Sequence, residues 1–231
     1  MDNPENFAQF YKNEKLGFDL RLVDKGFNTF KSFFKGESCL ELGPATGYMT
    51  KHLVNYFKNV TLVEGSSTLI NQIPNYRNVE KINCLFEEFN SNHKFDTIIL
   101  NHVLEHIEDP NKLLKMIYNW LSDDGICIIG VPNAKSFHRL AAVKMGLLQT
   151  EYELNSRDKE LGHFRIYDLD LLKKQTTNVG FKIKHEGGIF LKFLSNSQIE
   201  QFLPDVVIDA YFDLAQNFYN NSAEIYIVLN K

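Results

Sequence analysis

Apolar residues in the first part of the chain recur at helical spacing. Phe7, Phe10, Tyr11, Leu16, Phe18, Leu20, Leu22, Val23, Phe27, Phe30 and Phe33 would stripe helices across residues 5–35. From about residue 38 to 131 the pattern changes to short apolar runs separated by mixed helical stretches. Cys39-Leu40-Glu41-Leu42, Val60-Thr61-Leu62-Val63 and Phe95-Asp96-Thr97-Ile98-Ile99-Leu100 are such runs, and they read as buried strands. Strands alternating with helices imply a parallel sheet covered on both sides. Residues 134–165 break the rhythm, with helices expected around 136–148 and 150–160. Asp168 opens a further helix that Asn178-Val179-Gly180 closes, a helix C-cap pattern. Phe181-Lys182-Ile183-Lys184 and Ile189-Phe190-Leu191-Lys192-Phe193 predict a sixth strand interrupted at Gly187-Gly188. Residues 197–219 predict an amphipathic helix broken at Pro204, and Glu224-Ile225-Tyr226-Ile227-Val228-Leu229 a last strand.

The turn after the first of these strands adds chemistry. Leu40-Glu41-Leu42 leads into Gly43-Pro44-Ala45-Thr46-Gly47, and the second strand ends in Glu64. An acid, a glycine turn opening a helix and a second acid outline a nucleoside-binding βαβ unit. The glycines let main chain approach a ligand, and the second acid suits a pair of ribose hydroxyls. A dinucleotide site wants G-x-G-x-x-G so that main-chain N–H groups hold a pyrophosphate. Here Ala45 and Tyr48 replace two of those glycines, and Pro44 removes an N–H donor. The turn therefore suits a ligand without phosphate.

Composition narrows the partners. The chain has 231 residues and 44% hydrophobic content, enough to bury one core, and a net charge of −4 that disfavours a polyanion. No apolar stretch approaches the roughly 20 residues needed to span a bilayer. The start, Met1-Asp2-Asn3-Pro4-Glu5, lacks the features of a signal peptide, so a cytoplasmic location is expected. Cys39, Cys84 and Cys127 show no C-x-x-C pairing and are expected to be buried thiols, without disulfides or structural zinc.

Glu41 to Gly47, with Asn101-His102-Val103-Leu104-Glu105-His106-Ile107-Glu108-Asp109-Pro110 after the fourth strand and Gly130-Val131-Pro132-Asn133 ending the fifth, resembles the small-molecule branch of the class I S-adenosylmethionine-dependent methyltransferases. The matched features run from about residue 37 to 133. The resemblance implies a Rossmann-like α/β fold with a seven-stranded, mostly parallel sheet, helices on both faces, and an antiparallel last strand between the fifth and sixth. It implies one domain over residues 1–231, with a helical cap at 1–36 and substrate-cap insertions at 134–165 and 195–221. The cofactor would be S-adenosylmethionine, leaving S-adenosylhomocysteine. Glu41 would face the methionine ammonium, Gly43, Pro44, Ala45 and Gly47 would form the main-chain floor, and Glu64 with Gly65 and Ser66 would hold the ribose. Leu85, Phe86 and Glu87 fall beside adenine, Asn101 and His102 at the sulfonium end, and Tyr11 over the cofactor.

Methyl transfer asks chiefly for in-line positioning and exclusion of water, and positioning can supply about 7–11 kcal/mol. A hydroxyl acceptor also benefits from a base, for which histidine is the default. His102, where cofactor meets acceptor, and His163, in Gly162-His163-Phe164-Arg165-Ile166-Tyr167, are the catalytic candidates. His138, Arg139, Arg165 and Tyr167 are candidates for substrate binding. His106 is expected to be structural, and His52, His93 and His185 to lie on the surface. No metal is expected, because Asp168 and Asp170 sit at a helix start where capping accounts for them. The expected activity is methylation of a small polar metabolite at oxygen, such as a sugar or a surface-glycan or secondary-metabolite precursor, by a monomer or homodimer without nucleic-acid or membrane partners. N-methylation of an amine or amino sugar and cofactor binding without catalysis stay open. A nicotinamide-dependent reductase is disfavoured by Pro44, Ala45 and Tyr48.

Overall fold

The computed structural model describes residues 4–6, 8 and 17–231. The expectation for Tyr11 lies outside the described residues. Helix α1 (Gly17–Phe30) precedes β1 (Ser38–Leu42), α2 (Thr50–Leu53), β2 (Asn59–Glu64), α3 (Ser67–Ile70), β3 (Val79–Asn83) and β4 (Phe95–Asn101). A 3-10 turn (Leu104–His106) leads to α4 (Pro110–Trp120) and β5 (Leu121–Pro132). Helices α5 (Phe137–Lys144), α6 (Ser156–Glu160) and α7 (Leu169–Val179) separate β5 from β6 (Lys182–Ile189). The chain closes with α8 (Asn196–Phe202), α9 (Asp205–Leu214), a 3-10 turn (Tyr219–Asn221) and β7 (Glu224–Asn230).

The strands form one sheet in the order β3-β2-β1-β4-β5-β7-β6, with β7 antiparallel to both neighbours. Alternate side chains of each strand enter opposite cores, as strand geometry requires. Leu40, Ile98, Ile129 and Ile227 meet the α4 and α7 side chains Leu113, Ile117 and Leu172 on one face. Cys39, Leu62, Ile128 and Val228 meet Phe18, Phe30, Ile208 and Phe212 on the other. Strand order reverses between β1 and β4, so their C-terminal tips open a crevice where such sheets bind ligands.

Several local expectations change. Ser122-Asp123-Asp124-Gly125, a composition that reads as a turn, lies within β5: Phe95 pairs with Leu121 and Thr97 with Ile126, so the extra residues form an irregularity in one strand. Gly187-Gly188 does not interrupt β6. A Cβ on Gly187 would stand 2.5 Å from the Tyr226 ring, so glycine is what lets the strand run past it. The strand ends at Ile189, and Phe190 takes φ +65°, which turns Leu191–Phe193 away from the sheet. Of the two helices expected in 134–165, the first stops at Lys144 and the second is reduced to Ser156–Glu160. Pro204 does break the late helix into α8 and α9. Cys39 and Cys127 are buried, but Cys84 is only half-buried because it follows the edge strand β3.

Candidate active site

The tips of β1, β4, β5 and β7 surround a cavity of about 450 Å³. Its floor is the turn after β1. Gly43 and Gly47 have φ of +66° and +79°, and a Cβ on Gly43 would come within 2.7 Å of Val103 Cγ2. Ala45 also takes a left-handed φ, +48°, which a side chain enters only at some energetic cost. Glu41 is buried at the edge of this floor. Burial pushes its carboxyl up to about 7, against the Thr50 hydroxyl that donates to it at 2.6 Å and with the Glu64 charge adding to the rise. Among the described residues no cation pairs with it. A buried carboxylate facing a cavity with only a neutral partner suits a ligand ammonium, so the site fits the methionine end of S-adenosylmethionine.

Glu64 sits at the tip of β2, where its two oxygens accept the main-chain N–H groups of Ala45 (3.2 Å) and Ser66 (2.9 Å). Burial raises its pKa, and those main-chain donors oppose the rise. Each oxygen keeps a lone pair for a ribose hydroxyl. Glu64, Gly65, Ser66, Leu85, Phe86 and Glu87 stand outside the cavity wall. Pro4 packs against Gly65, and the Glu5 carboxylate accepts from the Ser67 and Thr68 N–H groups at 2.7 and 3.3 Å. Phe86 packs against the core, with its ring 3.6 Å from a notional Cβ on Gly43.

The opposite wall is made of charged side chains. His102 follows β4 with φ +57°, its N–H donating to Gly130 O at 2.9 Å. Its Nε2 lies 3.0 Å from Glu224 Oε1 and its Nδ1 3.4 Å from Glu105 Oε1. Burial alone would lower its pKa, but the Glu224 and Glu105 carboxylates outweigh this and hold the imidazole charged well above the ordinary range. His102 therefore carries charge rather than waiting as a neutral base. His163 also lines the cavity, 9% exposed, with Nδ1 3.3 Å from Asp158 Oδ1. His138 lines it as well, and burial with the Lys192 and Arg139 charges pushes its pKa down to about 3.

Other sequence candidates turn away. Arg139 reaches the cavity, but its guanidinium donates to Asp158 Oδ2 (3.0 Å) and to the Glu151 and Glu153 carbonyls. Arg165 donates to the carbonyls of Leu104, Ile107 and Glu108, so it clamps two loops instead of facing a substrate. Tyr167 is fully buried and its hydroxyl donates to Gln175 at 2.9 Å. Asn101 lines the cavity, and Asp168 caps α7 through Leu171 N–H. His52, expected on the surface, pairs with Asp24 at 2.7 Å and stacks on Phe27. His185 lies over Phe33.

Sequence reasoning missed Glu105, Glu224, Asp158 and Lys192, all of which line the cavity. Glu105 belongs to the Leu-Glu-His segment, where the histidine carries the more familiar catalytic signal, and Glu224 opens a strand-like apolar run.

Residues 17–186 match a family model described as a methyltransferase domain. A malonyl-[acyl-carrier protein] O-methyltransferase of Bacillus anthracis is 26% identical over 106 residues, 44% of this chain and 39% of that protein. The chain thus spans about two fifths of that relative. A ubiquinone biosynthesis O-methyltransferase of Rickettsia canadensis is 25% identical over 68% of this chain and 67% of its own length. A solved S-adenosylmethionine-dependent methyltransferase of Thermotoga maritima, described as a possible histamine N-methyltransferase, is 19% identical and covers 98% of each chain at a TM-score of 0.69.

Proposed function

The chain belongs to the class I S-adenosylmethionine-dependent methyltransferase family, and from that premise we propose that it methylates an oxygen atom of a small polar metabolite. The observation that carries this reading is the polarity of the wall facing the glycine floor. Asn101 Oδ1, both oxygens of Glu105, His138 Nδ1 and Asn196 Oδ1 are buried atoms without hydrogen-bond partners, and all belong to residues lining the cavity. Such atoms are costly unless a ligand completes them. An acceptor rich in hydroxyls, such as a sugar or a glycan or secondary-metabolite precursor, supplies those partners. The two O-methyltransferases among the relatives agree with transfer to oxygen.

Bound S-adenosylmethionine supplies a methyl group already activated on sulfonium. Glu41 would hold its ammonium, the Gly43–Gly47 turn its carboxylate end, and Glu64 its ribose. Pro4 and Glu5, which lie against Gly65, Ser66 and Ser67, would border the nucleoside. Charged His102, anchored by Glu224, would draw a negative acceptor oxygen towards the transfer line. Neutral His138 would accept a proton-bearing hydrogen bond from a neighbouring hydroxyl.

Calorimetric titration with S-adenosylhomocysteine tests the first half of this reading, with NADH and Glu64→Gln as controls. Micromolar binding that weakens in Glu64→Gln and is absent for NADH is expected. Mass spectrometry of hydroxylated, carboxylated and amine acceptors incubated with cofactor tests the second half. Methylation confined to the amines would sink the oxygen assignment.

A further inference from the structure

We propose that Glu105, His106 and His163 form a binding site for a divalent first-row transition ion at the acceptor end of the cavity. One ligand-type atom from each residue lies within 4.8 Å of the other two. Metal bonds of about 2.0–2.2 Å place neighbouring ligand atoms roughly 3–4 Å apart, so side-chain shifts of about an ångström close the set. The three residues come from two segments, the turn after β4 and the loop before α7.

The carboxylate is the second observation. Glu105 is fully buried, and neither of its oxygens accepts a hydrogen bond. His102 Nδ1 stands 3.4 Å from Oε1, which leaves Oε2 of this buried carboxylate unanswered, and coordination to a cation would complete it.

The surroundings resemble an outer shell around metal ligands. Metal-bound histidines are typically fixed by a carboxylate or a main-chain carbonyl behind the ring. Asp158 Oδ1 stands 3.3 Å from His163 Nδ1, and Asp158 is in turn held by Arg139 at 3.0 Å. The Gly162 main chain bonds His106. Phe164 N–H donates to Glu105 O at 2.9 Å and Arg165 bonds three carbonyls of the 104–108 segment, stapling the two ligand-bearing loops together. Arg165 thereby acquires a reason to sit outside the cavity: it positions the ligands.

Two imidazoles and a carboxylate favour zinc, manganese, cobalt or ferrous iron over magnesium or calcium, which prefer all-oxygen sites. Three protein ligands also leave coordination positions open to the cavity, the pattern of a catalytic site. An acceptor hydroxyl bound there would release its proton to solvent at lower pH, and its oxygen would be fixed to form the C–O bond as the methyl–sulfur bond breaks and S-adenosylhomocysteine leaves. That use rests on the methyl-transfer reading, whereas metal binding itself does not.

The test is a Co2+ titration of chelator-treated full-length protein, followed by the visible absorption of bound cobalt and by calorimetry. Saturation at one equivalent is expected, with at least a tenfold loss of affinity in both Glu105→Gln and His163→Ala. His138→Ala, in the same cavity but outside the cluster, should bind as wild type does. Paramagnetic broadening of the His106 and His163 ring protons in the wild type gives a readout that needs no variant to fold. No cobalt spectrum and no broadening in the wild type would overturn the proposal, as would affinity unchanged in both cluster variants. S-adenosylhomocysteine binding, measured on the same samples, separates the two claims. Cofactor binding without metal overturns this site alone, and metal binding without cofactor overturns the methyltransferase reading alone.

Discussion

The two walls of the cavity are built on different principles. The cofactor wall is mostly main chain, a turn after β1 in which Gly43, Ala45 and Gly47 take left-handed φ, with Glu41 beside it. The acceptor wall is side chain, with His102 just after β4, Glu105 from the next turn, His138 from α5, His163 from the loop before α7 and Glu224 from β7. A main-chain wall recognises a ligand common to many proteins, since it depends on backbone shape and tolerates sequence change. A side-chain wall assembled from distant segments can be rewritten one residue at a time. On the proposed reading, recognition of a shared cofactor and choice of a particular acceptor are physically separable.

The largest expected effect comes from Glu41, the buried carboxylate beside the glycine floor. Replacing Glu41 with Gln removes the carboxylate that would face the ligand ammonium. A buried charge-assisted contact of this kind is worth about 2–3 kcal/mol, so affinity for S-adenosylhomocysteine should fall roughly 30- to 150-fold by calorimetry. The same change should raise the melting temperature of the free protein above neutral pH, because it deletes a carboxylate whose ionisation burial opposes. A variant that bound normally would remove Glu41 from the site.

Glu224→Gln is the matching experiment on the other wall. Glu224 is 6% exposed and is the closer of the two carboxylates that anchor His102. Its loss should lower kcat roughly 100-fold, the lower end of what removal of one positioned polar group produces. Affinity for S-adenosylhomocysteine should stay within about twofold, since no cofactor contact is touched. A parallel loss of both would mean that the two walls are not separable.

The contrast between the walls also decides what the sequence could reveal. Gly43, Ala45 and Gly47 lie within five residues, and Glu41 and Glu64 end strands whose apolar runs are obvious. Local spacing carries that geometry, so the floor and the alternating fold were legible. Glu105 with His163 and His102 with Glu224 meet only after separations of 58 and 122 residues. No periodicity encodes such a meeting. Arg165 and Tyr167 misled for the complementary reason: an exposed-looking loop rich in polar residues reads as a substrate contact, whereas here it is a clamp and a core anchor. Gly187-Gly188 failed similarly, because the Tyr226 ring that requires glycine there is far away in sequence.

Acidity offers a graded probe of the cofactor wall. Glu41 ionises at about 7 in the folded protein, above the ordinary carboxylate value of 4.5, with burial as the leading cause. The folded state therefore holds a proton that the unfolded chain has released between those two values. Stability of the free protein falls as pH rises through that window, by roughly 3 kcal/mol at 1.36 kcal/mol per pH unit, and then levels off. Ligand binding has the opposite sign, because an ammonium needs the carboxylate. Affinity for S-adenosylhomocysteine should rise about tenfold per pH unit from about 5.5 towards 7 and then flatten. Glu41→Gln should erase the slope. A slope that persists in that variant would place the proton on Glu64, the neighbouring buried carboxyl.

The smallest effect sharpens the boundary of the acceptor wall. The Tyr167 hydroxyl donates to Gln175 at 2.9 Å, its ring is fully buried, and its carbonyl accepts from Ala134 N–H at 2.7 Å. Those contacts make it a peg that seats the segment after β5 against α7, with nothing turned to the cavity. Tyr167→Phe keeps the ring and the main-chain bond and removes one hydrogen bond. The cost should be about 1 kcal/mol, a melting shift of roughly 2–4 °C for a chain of this size. The values of kcat and KM should not change. A fall in kcat/KM beyond about threefold at unchanged fold would bring Tyr167 back into the acceptor wall, and with it the surface that faces the substrate would extend to the start of α7.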